Sequence, residues 1–290
     1  MNILNNMKNK TILFIFLSFC CNFALFSQSC VKESLSFQSD KLGKKVSYSV
    51  YLPSDYDVSQ RKYPVLYLLH GYSDNETSWI QSGNIKETAD RAIASGEAVP
   101  MIIVMPNAWN SWYLNPYDGK APYEDMFFEE LIPHIEKTYH TRQGKDYRAI
   151  GGVSMGGYSA LLYTLHHPDY FSACMPLSAA IHTDEYMKYL VKDDAFYRLY
   201  GPQKAYRDKN SIIQLVADLT KDTKPRVKFY IDCGDKDSLL DGNILMHQLM
   251  RQIGIPHELR VREGGHGWIY WRTSLPEVLK FSSKAFLRIR

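Results

Sequence analysis

A glycine-rich segment at residues 151–157, Gly-Gly-Val-Ser-Met-Gly-Gly, carries the clearest chemical signal in this chain. It follows an apolar run and places Ser154 at the centre of a G-x-S-x-G pattern. Where such a turn joins a strand to a helix, the serine backbone is strained and the glycines leave room for the crossing chain, so the hydroxyl is exposed above the sheet. Serine is a weak nucleophile at its own pKa, and the motif therefore predicts catalysis only if a histidine base and a carboxylate come from elsewhere.

Both partners lie downstream, each after a predicted strand. Asp237 follows the apolar run 227–231, and His266 follows residues 257–261 in a loop that contains three glycines. Because open α/β sheets build their sites at the carboxyl ends of the strands, we expect both side chains to meet Ser154 there. The chain order Ser, Asp, His is that of the α/β-hydrolase arrangement. In this arrangement His266 takes the serine proton, while Asp237 holds the histidine tautomer and stabilises the imidazolium.

The assignment of the carboxylate has alternatives, because Asp232, Asp235 and Asp241 lie close to Asp237 in the chain. Asp235 and Asp241 also suit a turn and a helix start. A calcium loop is a further interpretation of this acidic cluster, but the spacing lacks the glycine and the closing glutamate of an EF-hand. We therefore assign Asp237 to the triad and expect no metal ion.

The oxyanion formed during acyl transfer needs two N–H donors. We assign them to the backbone of Met155, directly after the nucleophile, and of Tyr72, in the loop after the strand predicted at residues 65–69. Each such donor contributes about 2.7 to 4 kcal/mol of barrier lowering in known cases. His70, in the same loop, is interpreted as a residue that shapes the loop rather than one that transfers a proton.

Strand and helix patterns alternate along almost the whole chain, which predicts a doubly wound, mostly parallel α/β sheet with helices on both faces. Residues 46–52 alternate in polarity and predict an antiparallel strand at the sheet edge. Further buried strands are predicted at residues 65–69, 101–105, 147–153 and 171–177, and helices at residues 84–95, 123–139 (with a kink at Pro133), 158–167 and 239–253. Residues 28–290 then form one catalytic domain, in which the polar and aromatic stretch 181–224 is an insertion above the sheet.

The chain resembles the esterase D family of α/β-hydrolases, and within it the secreted bacterial feruloyl and acetyl-xylan esterases. The likeness covers nearly all of residues 40–290. It rests on Leu68-Leu69-His70-Gly71 with Trp79, Gly152-Val153-Ser154-Met155-Gly156-Gly157, Cys233-Gly234-Asp235-Lys236-Asp237, and Gly264-Gly265-His266-Gly267-Trp268 with Trp271-Arg272. The resemblance implies an α/β-hydrolase fold, Ser154, Asp237 and His266 as the triad, and Tyr72 and Met155 as oxyanion donors. Gly267 stands where many relatives have an acidic residue.

Aromatic residues lie near the predicted site. Trp109, Trp112 and Tyr113 follow the strand predicted at residues 101–105, and Trp268 follows His266. Aromatic faces suit sugar rings or a phenolic acyl group, so we predict these four residues to bind substrate.

The resemblance implies a feruloyl-type hydroxycinnamoyl ester or an acetyl ester on a plant oligo- or polysaccharide. An acyl-enzyme on Ser154 would be hydrolysed without a metal or organic cofactor. Two alternatives stay open. One is an esterase or acyltransferase acting on another ester, such as a siderophore, thioester or lipid, and the other is a noncatalytic carbohydrate-binding protein on the same scaffold.

The first residues predict export. Lys8 and Lys10 precede an apolar run at residues 11–26, and small and polar residues follow, so residues 1–27 are interpreted as a secretory signal peptide. The run of about 16 residues is shorter than the roughly 20 that span a bilayer. The predicted location is secreted or periplasmic, without stable membrane insertion after signal removal. Lipid attachment at Cys30 is disfavoured because residues 27–29 lack the aliphatic residue expected three positions upstream.

Charge and cysteine content exclude several classes of partner. The formal net charge is +3, and it includes Lys8 and Lys10, so the chain without its signal is near neutral. Neither nucleic acid nor an anionic membrane surface is therefore expected as a partner. The cysteines that remain, Cys30, Cys174 and Cys233, are odd in number and predict no disulfide framework; Cys174 and Cys233 are interpreted as small buried hydrophobic residues. The sequence predicts no particular oligomeric state.

Overall fold

An eight-stranded sheet forms the centre of the protein, in a computed structural model that describes residues 28–181, 200–202, 204–220 and 224–287. The predicted signal peptide lies outside the described residues, as does the part of the predicted insertion at residues 182–199. The strands are β1 (Cys30–Ser39), β2 (Lys44–Leu52), β3 (Val65–Leu69), β4 (Ile102–Pro106), β5 (Arg148–Val153), β6 (Ala173–Leu177), β7 (Lys228–Gly234) and β8 (His257–Arg262).

The strand order is β1-β2-β4-β3-β5-β6-β7-β8. β1 pairs with β2 and β2 pairs with β4 in antiparallel fashion, and all other pairs are parallel. This confirms the predicted mostly parallel α/β sheet. β5 leads to Ser154, β7 leads to Asp237, and the edge strand β8 leads to His266. Because these three strands are parallel, their carboxyl ends lie on the same side of the sheet.

The strand predicted at residues 46–52 is present as β2, but the prediction that it lies at the edge is wrong. β1 pairs with it along its length, from Cys30 opposite Leu52 to Ser39 opposite Lys44. β1 itself is polar in sequence, and most of its side chains are partly or fully exposed. Polar and charged side chains are common on edge strands because they discourage pairing with other chains. β1 therefore lacks the apolar signal that reveals the buried strands β3 to β7.

Helices cover both faces of the sheet, as predicted. They are α1 (Ser78–Gln81), α2 (Ile85–Ala94), α3 (Tyr123–Met126), α4 (Ile132–Thr138), α5 (Met155–His166), α6 (Lys204–Lys209), α7 (Ile212–Ala217), α8 (Leu240–Gln252) and α9 (Trp268–Phe286). One apolar cluster includes Met126, Leu161 and Met246 of α3, α5 and α8, and a second includes Ala89 and Leu275 of α2 and α9. Successive residues of β3 alternate between the two clusters, so the clusters lie on opposite faces of the sheet.

The helix predicted at residues 123–139 is irregular near its proline. α3 continues through a π-helical turn, Phe127–Leu131, into α4, and Pro133 lies in the first turn of α4. Proline has no N–H to donate, and the wider π turn just before it accommodates the missing hydrogen bond. A π turn thus precedes Pro133, and a kink at Pro133 itself stays a prediction.

The sequence pattern does not predict α9, whose 19 residues begin directly after the loop of His266. Pro276 lies inside this helix and lowers its helical signal. Its buried face, which includes Trp271, Leu275 and Val278, packs on the sheet. Among the described helices, including this longest one, none combines the length and apolar character needed to cross a membrane.

The cysteines behave as the sequence predicts. Cys174 and Cys233 are buried in β6 and β7, and they are unpaired, as is Cys30. Burial raises the pKa of each buried thiol to about 12. Both side chains therefore remain neutral thiols and act as small hydrophobic residues.

The predicted insertion is described in part, by α6 and α7. Side chains of α5 bond to the carbonyls at the end of α6: Tyr158 Oη donates to Asn210 O at 2.5 Å, and His166 Nε2 donates to Lys209 O at 2.8 Å. The described part of the insertion therefore packs along α5, the helix that follows Ser154.

Glu124 strengthens this attachment from within the core. Its Oε1 accepts hydrogen bonds from His166 Nδ1 at 2.8 Å and His167 Nε2 at 2.9 Å. Burial alone would raise the pKa of Glu124, but the two histidine donors lower it to about 2. Burial alone would lower the pKa of His166, but the bonds to Glu124 and Lys209 O raise it above its ordinary value. Since one nitrogen of His166 faces a carboxylate and the other a carbonyl, both donate and the ring is charged.

We expect the replacement Glu124→Gln to destabilise the protein most at mildly acidic pH. The lowered pKa of Glu124 contributes stability that is present above its ordinary value of 4.5 and is lost as the pH falls towards 2. The raised pKa of His166 contributes stability that is present below 6.5 and is lost as the pH rises. In urea titrations, the difference in unfolding free energy between wild type and variant should therefore be largest between pH 4.5 and 6.5. A difference that does not change with pH would contradict this account.

Candidate active site

The turn at Ser154 has the strained backbone that the sequence predicts. Ser154 lies between β5 and α5 with φ 54° and ψ −115°, a region that residues other than glycine rarely adopt. Its N–H donates to Leu177 O at 2.9 Å, and its carbonyl accepts from the N–H groups of Tyr158 and Ala180. These bonds to α5 and to the end of β6 hold the strained residue in place.

Two glycines allow this turn to approach the sheet closely. A Cβ atom at Gly156 would lie 2.6 Å from His70 O and 2.7 Å from Leu69 O, and one at Gly152 would lie 2.7 Å from the backbone of Gly156. Carbon atoms in ordinary contact are about 3.5 to 4.0 Å apart, so a side chain at either position would require the backbone to move. The start of α5 therefore rests directly on the loop after β3, which carries Tyr72.

Ser154, His266 and Asp237 come together at the carboxyl end of the sheet in one hydrogen-bonded line. His266 Nε2 lies 2.9 Å from Ser154 Oγ, and His266 Nδ1 lies 3.0 Å from each carboxylate oxygen of Asp237. An ionised carboxylate can only accept, so Nδ1 donates to it and Nε2 of the neutral ring accepts from the serine hydroxyl. In this geometry the histidine can remove the serine proton.

Asp237 is held as a carboxylate although its side chain is fully buried. Burial alone would raise the pKa of Asp237. Hydrogen bonds from His266 Nδ1, from the Leu239 N–H at 2.9 Å and from the Ser178 side chain outweigh burial, and the pKa lies below its ordinary value. The resulting negative charge favours the imidazolium that forms when His266 takes a proton.

Asp232 has a different, structural environment. Its buried carboxylate accepts from Tyr230 Oη at 2.8 Å, from Arg262 Nη2 at 2.5 Å and from Tyr270 Oη. Three donors satisfy its charge inside the protein, as a buried carboxylate requires. Asp232 therefore joins β7, β8 and α9 and is not the partner of His266.

The two remaining aspartates also have the structural positions that the sequence offers as alternatives. Asp235 Oδ1 accepts from the Gly264 N–H at 2.9 Å, which ties the loop of Asp237 to the loop of His266. Asp241 lies in the first turn of α8. Within the described ranges, no group of His, Cys, Asp and Glu side chains is arranged to hold a metal ion.

The two predicted oxyanion donors have free N–H groups. Met155 is the first residue of α5, where a backbone N–H has no partner within the helix. In the part of the chain that the structure describes, neither its N–H nor that of Tyr72 has a hydrogen-bond acceptor. The Tyr72 loop lies beside the nucleophile, because a Cβ atom at Gly71 would be 3.5 Å from Ser154 Cβ. The assignment of both donors stays a prediction.

His70 holds the shape of this loop. Its Nδ1 donates to Gly71 O at 2.8 Å, and its Nε2 accepts from the Ala108 N–H at 2.9 Å. With one donating and one accepting nitrogen the ring is neutral, and burial lowers its pKa. Both nitrogens are therefore engaged in joining the loop after β3 to the loop after β4.

The prediction that Tyr113 binds substrate is wrong for its side chain. The ring is fully buried, and Oη accepts from the His70 N–H at 2.9 Å and donates to His70 O at 3.2 Å. The ring also packs against Tyr123, with 5.3 Å between centres. A buried tyrosine hydroxyl needs a partner, and here that partner is the backbone of the loop that it supports.

Trp112 is the predicted aromatic residue with the clearest relation to the site. Its half-buried ring lies 6.4 Å from the ring of Tyr72 and 5.5 Å from that of Tyr158, which follows Ser154 by one helical turn. Tyr72 is 54% exposed, so this group presents an aromatic surface beside the nucleophile. Contact of Trp112 with substrate stays a prediction.

Trp109 and Trp268 have other surroundings, and their contact with substrate also stays a prediction. Trp109 is 37% exposed, and Lys44 Nζ lies 3.4 Å from the centre of its ring. Since Lys44 begins β2, Trp109 is directed towards the β1–β2 side of the sheet. Trp268 lies between Trp79 and Trp271, with ring centres 5.0 and 5.2 Å away.

Two residues that the sequence reasoning does not assign contact the triad. Trp271 packs its ring against His266, and the Ser178 hydroxyl helps to lower the pKa of Asp237. Trp271 has a detectable signal, because it follows His266 by five residues in a motif shared with the resembled family. Ser178 has none, because its place beside Asp237 arises only when β6 pairs with β7.

Comparisons with known proteins agree with this geometry. Residues 39–282 match the Esterase family, described as "Putative esterase". An endo-1,4-beta-xylanase/feruloyl esterase of Xylanibacter ruminicola is 30% identical over 254 residues, which are 85% of this chain and 30% of that protein. This chain therefore spans less than a third of that relative.

Two further proteins match over nearly their whole length. An acetyl esterase of Caldicellulosiruptor saccharolyticus is 27% identical over 268 residues, which are 86% of this chain and 97% of that protein. The solved structure of a ferulic acid esterase is 37% identical, has a TM-score of 0.80, and is matched over 89% of this chain and 99% of that one. The protein therefore belongs to the esterase family of carboxylic ester hydrolases, has the α/β-hydrolase fold, and is similar to feruloyl and acetyl esterases.

Proposed function

We propose that this protein is an exported serine esterase that releases hydroxycinnamoyl groups, such as feruloyl, or acetyl groups from plant polysaccharides. The observation that carries the proposal is the hydrogen-bonded line from Ser154 Oγ through His266 to Asp237, with distances of 2.9 and 3.0 Å. Noncatalytic binding does not require this arrangement, whereas acyl transfer to a serine does. The apolar segment before residue 28 supports export.

The proposed first half-reaction acylates the serine. His266 Nε2 removes the hydroxyl proton while Ser154 Oγ forms a bond to the carbonyl carbon of the ester. The carbonyl electrons move to oxygen, and the N–H groups of Met155 and Tyr72 stabilise the negative charge. The intermediate then collapses, the bond to the sugar oxygen breaks, and His266 returns the proton to that oxygen. The alcohol leaves, and the acyl group stays on Ser154.

The second half-reaction repeats these steps with water. His266 takes a proton from water, the hydroxide attacks the acyl carbon, and the same two N–H groups stabilise the second oxyanion. Collapse breaks the bond to Ser154 Oγ, which receives the proton from His266, and the free acid departs. Asp237 remains ionised throughout and stabilises the imidazolium in both halves.

The substrate class is supported by the aromatic surface and by the relatives. Tyr72 and Trp112 form an aromatic surface beside Ser154, and aromatic rings favour stacking with a phenolic acyl group or a sugar face. Relatives of this chain are named feruloyl esterase, ferulic acid esterase and acetyl esterase. We therefore propose an aromatic acyl group as the preferred substrate and acetyl as the second.

The test compares acyl groups and polymers directly. With purified protein lacking residues 1–27, kcat/KM for methyl ferulate should exceed that for methyl benzoate, and ferulate should be released from feruloylated arabinoxylan. Acetate release from acetylated xylan, measured in parallel, decides between the two acyl groups. Turnover of a lipid ester or thioester with neither ferulate nor acetate released from the polymers would contradict the proposed substrate class.

A further inference from the structure

Ser178 occupies a constrained position directly after β6. It is fully buried, has φ 45°, and donates its backbone N–H to Asp232 O at 2.7 Å. A non-glycine residue in this left-handed region is uncommon and is retained where surrounding contacts hold it. Its side chain is therefore held in a defined place, and as a donor its hydroxyl lowers the pKa of the Asp237 carboxylate.

The hydrogen bonds around Ser178 have a defined direction. Trp271 Nε1 lies 3.0 Å from Ser178 Oγ, and an indole N–H can only donate. Ser178 Oγ therefore accepts from Trp271, and its own hydroxyl proton is available for another group. The two candidates are the Asp237 carboxylate and the Cys233 thiol. A carboxylate is a much stronger acceptor than a neutral thiol, so the proton is directed to Asp237.

Trp271 also contacts His266, the residue that bonds to Asp237. Its ring meets that of His266 nearly at right angles, with 5.1 Å between centres and 87° between planes. Trp271 is fixed in turn, because it lies in the first turn of α9, is buried in an apolar cluster and packs against Trp268. One side chain thus packs against the proposed base and, through one serine, bonds to the carboxylate that orients this base.

We propose that Ser178 and Trp271 are positioning residues for ester hydrolysis: the Trp271 N–H aims the Ser178 hydroxyl at Asp237 while the Trp271 ring fixes the plane of His266. The inference rests on the Ser154 mechanism proposed above. Asp237 then has three donors, from His266, Leu239 and Ser178, and this set restricts rotation of the carboxylate. A fixed carboxylate keeps Nε2 of His266 directed at Ser154 Oγ.

The test uses Ser178→Ala and Ser178→Gly, which both remove the hydroxyl. The glycine variant is included because glycine adopts the left-handed backbone without strain. Each should lower kcat for p-nitrophenyl acetate on the order of 10-fold and leave KM within about twofold, because orientation and not binding is lost. Without the serine donor the Asp237 carboxylate is more basic and favours the imidazolium more strongly over the neutral ring. The acidic limb of the kcat/KM profile should therefore move to higher pH.

A double-mutant cycle tests the link between the two residues. Trp271→Phe keeps a ring beside His266 but removes the N–H. In the background with Ser178 intact it should lower kcat about threefold. In the Ser178→Ala background the same change should have little further effect, because the hydroxyl that it aims is absent. Full and independent effects in both backgrounds would overturn the proposed link.

The matched control is Ser282→Ala. Ser282 is also a buried serine, on the same helix as Trp271, but its hydroxyl donates to Val278 O. The replacement Ser282→Ala should leave kcat and the pH profile of kcat/KM unchanged. Wild-type kcat and pH profile in a folded Ser178→Ala or Ser178→Gly variant would overturn the inference; if neither folds, Trp271→Phe with an unchanged profile does the same. These results leave the proposed function intact, which fails instead if Ser154→Ala retains wild-type turnover.

Discussion

Replacing Ser154 by alanine should lower kcat for p-nitrophenyl acetate by about 10⁶-fold, the loss found when the nucleophile of a serine hydrolase is removed. The alanine side chain has no oxygen to receive the acyl group, and His266 then has no hydroxyl at 2.9 Å to deprotonate. Residual hydrolysis should come from the oxyanion donors and substrate binding alone. Initial-rate kinetics measure the loss, and a serine-directed sulfonyl fluoride should label wild type but leave position 154 of the variant unmodified.

Neighbouring variants sharpen this expectation. His266→Ala should cost about as much as Ser154→Ala, and the double variant should cost little more, because the two act as a unit. Asp237→Asn should cost about 10⁴-fold, because an amide stabilises the wrong histidine tautomer. Ser95→Ala is the control and should retain full activity, because Ser95 lies at the end of α2 and its hydroxyl donates to Ala92 O, away from the site. Comparable activity of Ser154→Ala and Ser95→Ala would rule out the acyl-enzyme mechanism.

The replacement Gly156→Ala should have the largest effect on stability. The new Cβ would lie 2.6 Å from His70 O and 2.7 Å from Leu69 O, and both are backbone atoms that cannot rotate away. Overpacking of this kind costs about 1 to 3 kcal/mol, and we expect a loss near the upper end because β3 is fully buried. Urea or thermal unfolding measures it. Movement of the His70 backbone should also displace the Tyr72 N–H and lower kcat.

Gly267→Ala is the matched control for this variant. Gly267 lies in the extended region, with φ 173°, and among the described residues only its chain neighbours come within 4 Å of the position of its Cβ. Its replacement should change the unfolding free energy by less than about 0.5 kcal/mol. Equal stability losses at the two positions would show that the close approach at Gly156 does not limit stability.

The sequence predicts that Ser154, Asp237 and His266 meet, because each depends on a short-range signal and on one rule; their catalytic roles stay a proposal. Ser154 is marked by its glycines, and the carboxyl-end rule for parallel sheets selects Asp237 and His266. The rule cannot separate Asp237 from Asp232, since both follow the strand predicted at residues 227–231; the structure does so, because the Asp232 carboxylate is bonded to Arg262. The parallel strands are predictable for a similar reason, because burial on both faces produces continuous apolar runs.

Other features depend on contacts that no local pattern records. The polar edge strand β1 becomes apparent only when its pairing with β2 is known. From its position in the sequence, Tyr113 is expected to be an exposed aromatic residue near the site. In the structure it is buried, and its hydroxyl bonds to the backbone of His70. Ser178 and Trp271 are 93 positions apart, and only the pairing of β6 with β7 and the docking of α9 bring them together.

The edge position of β8 bears on how this enzyme loses activity. β8 pairs with β7, and most of its side chains are partly or fully exposed, whereas β5 lies buried between β3 and β6. Edge elements with few buried contacts open at lower free energy than central ones. Since His266 lies in the loop after β8, local opening of this strand would separate the proposed base from Ser154, whose strand β5 is buried. Activity therefore depends on how often the edge strand β8 opens. Substitutions that stabilise β8 would slow thermal inactivation without altering a catalytic group.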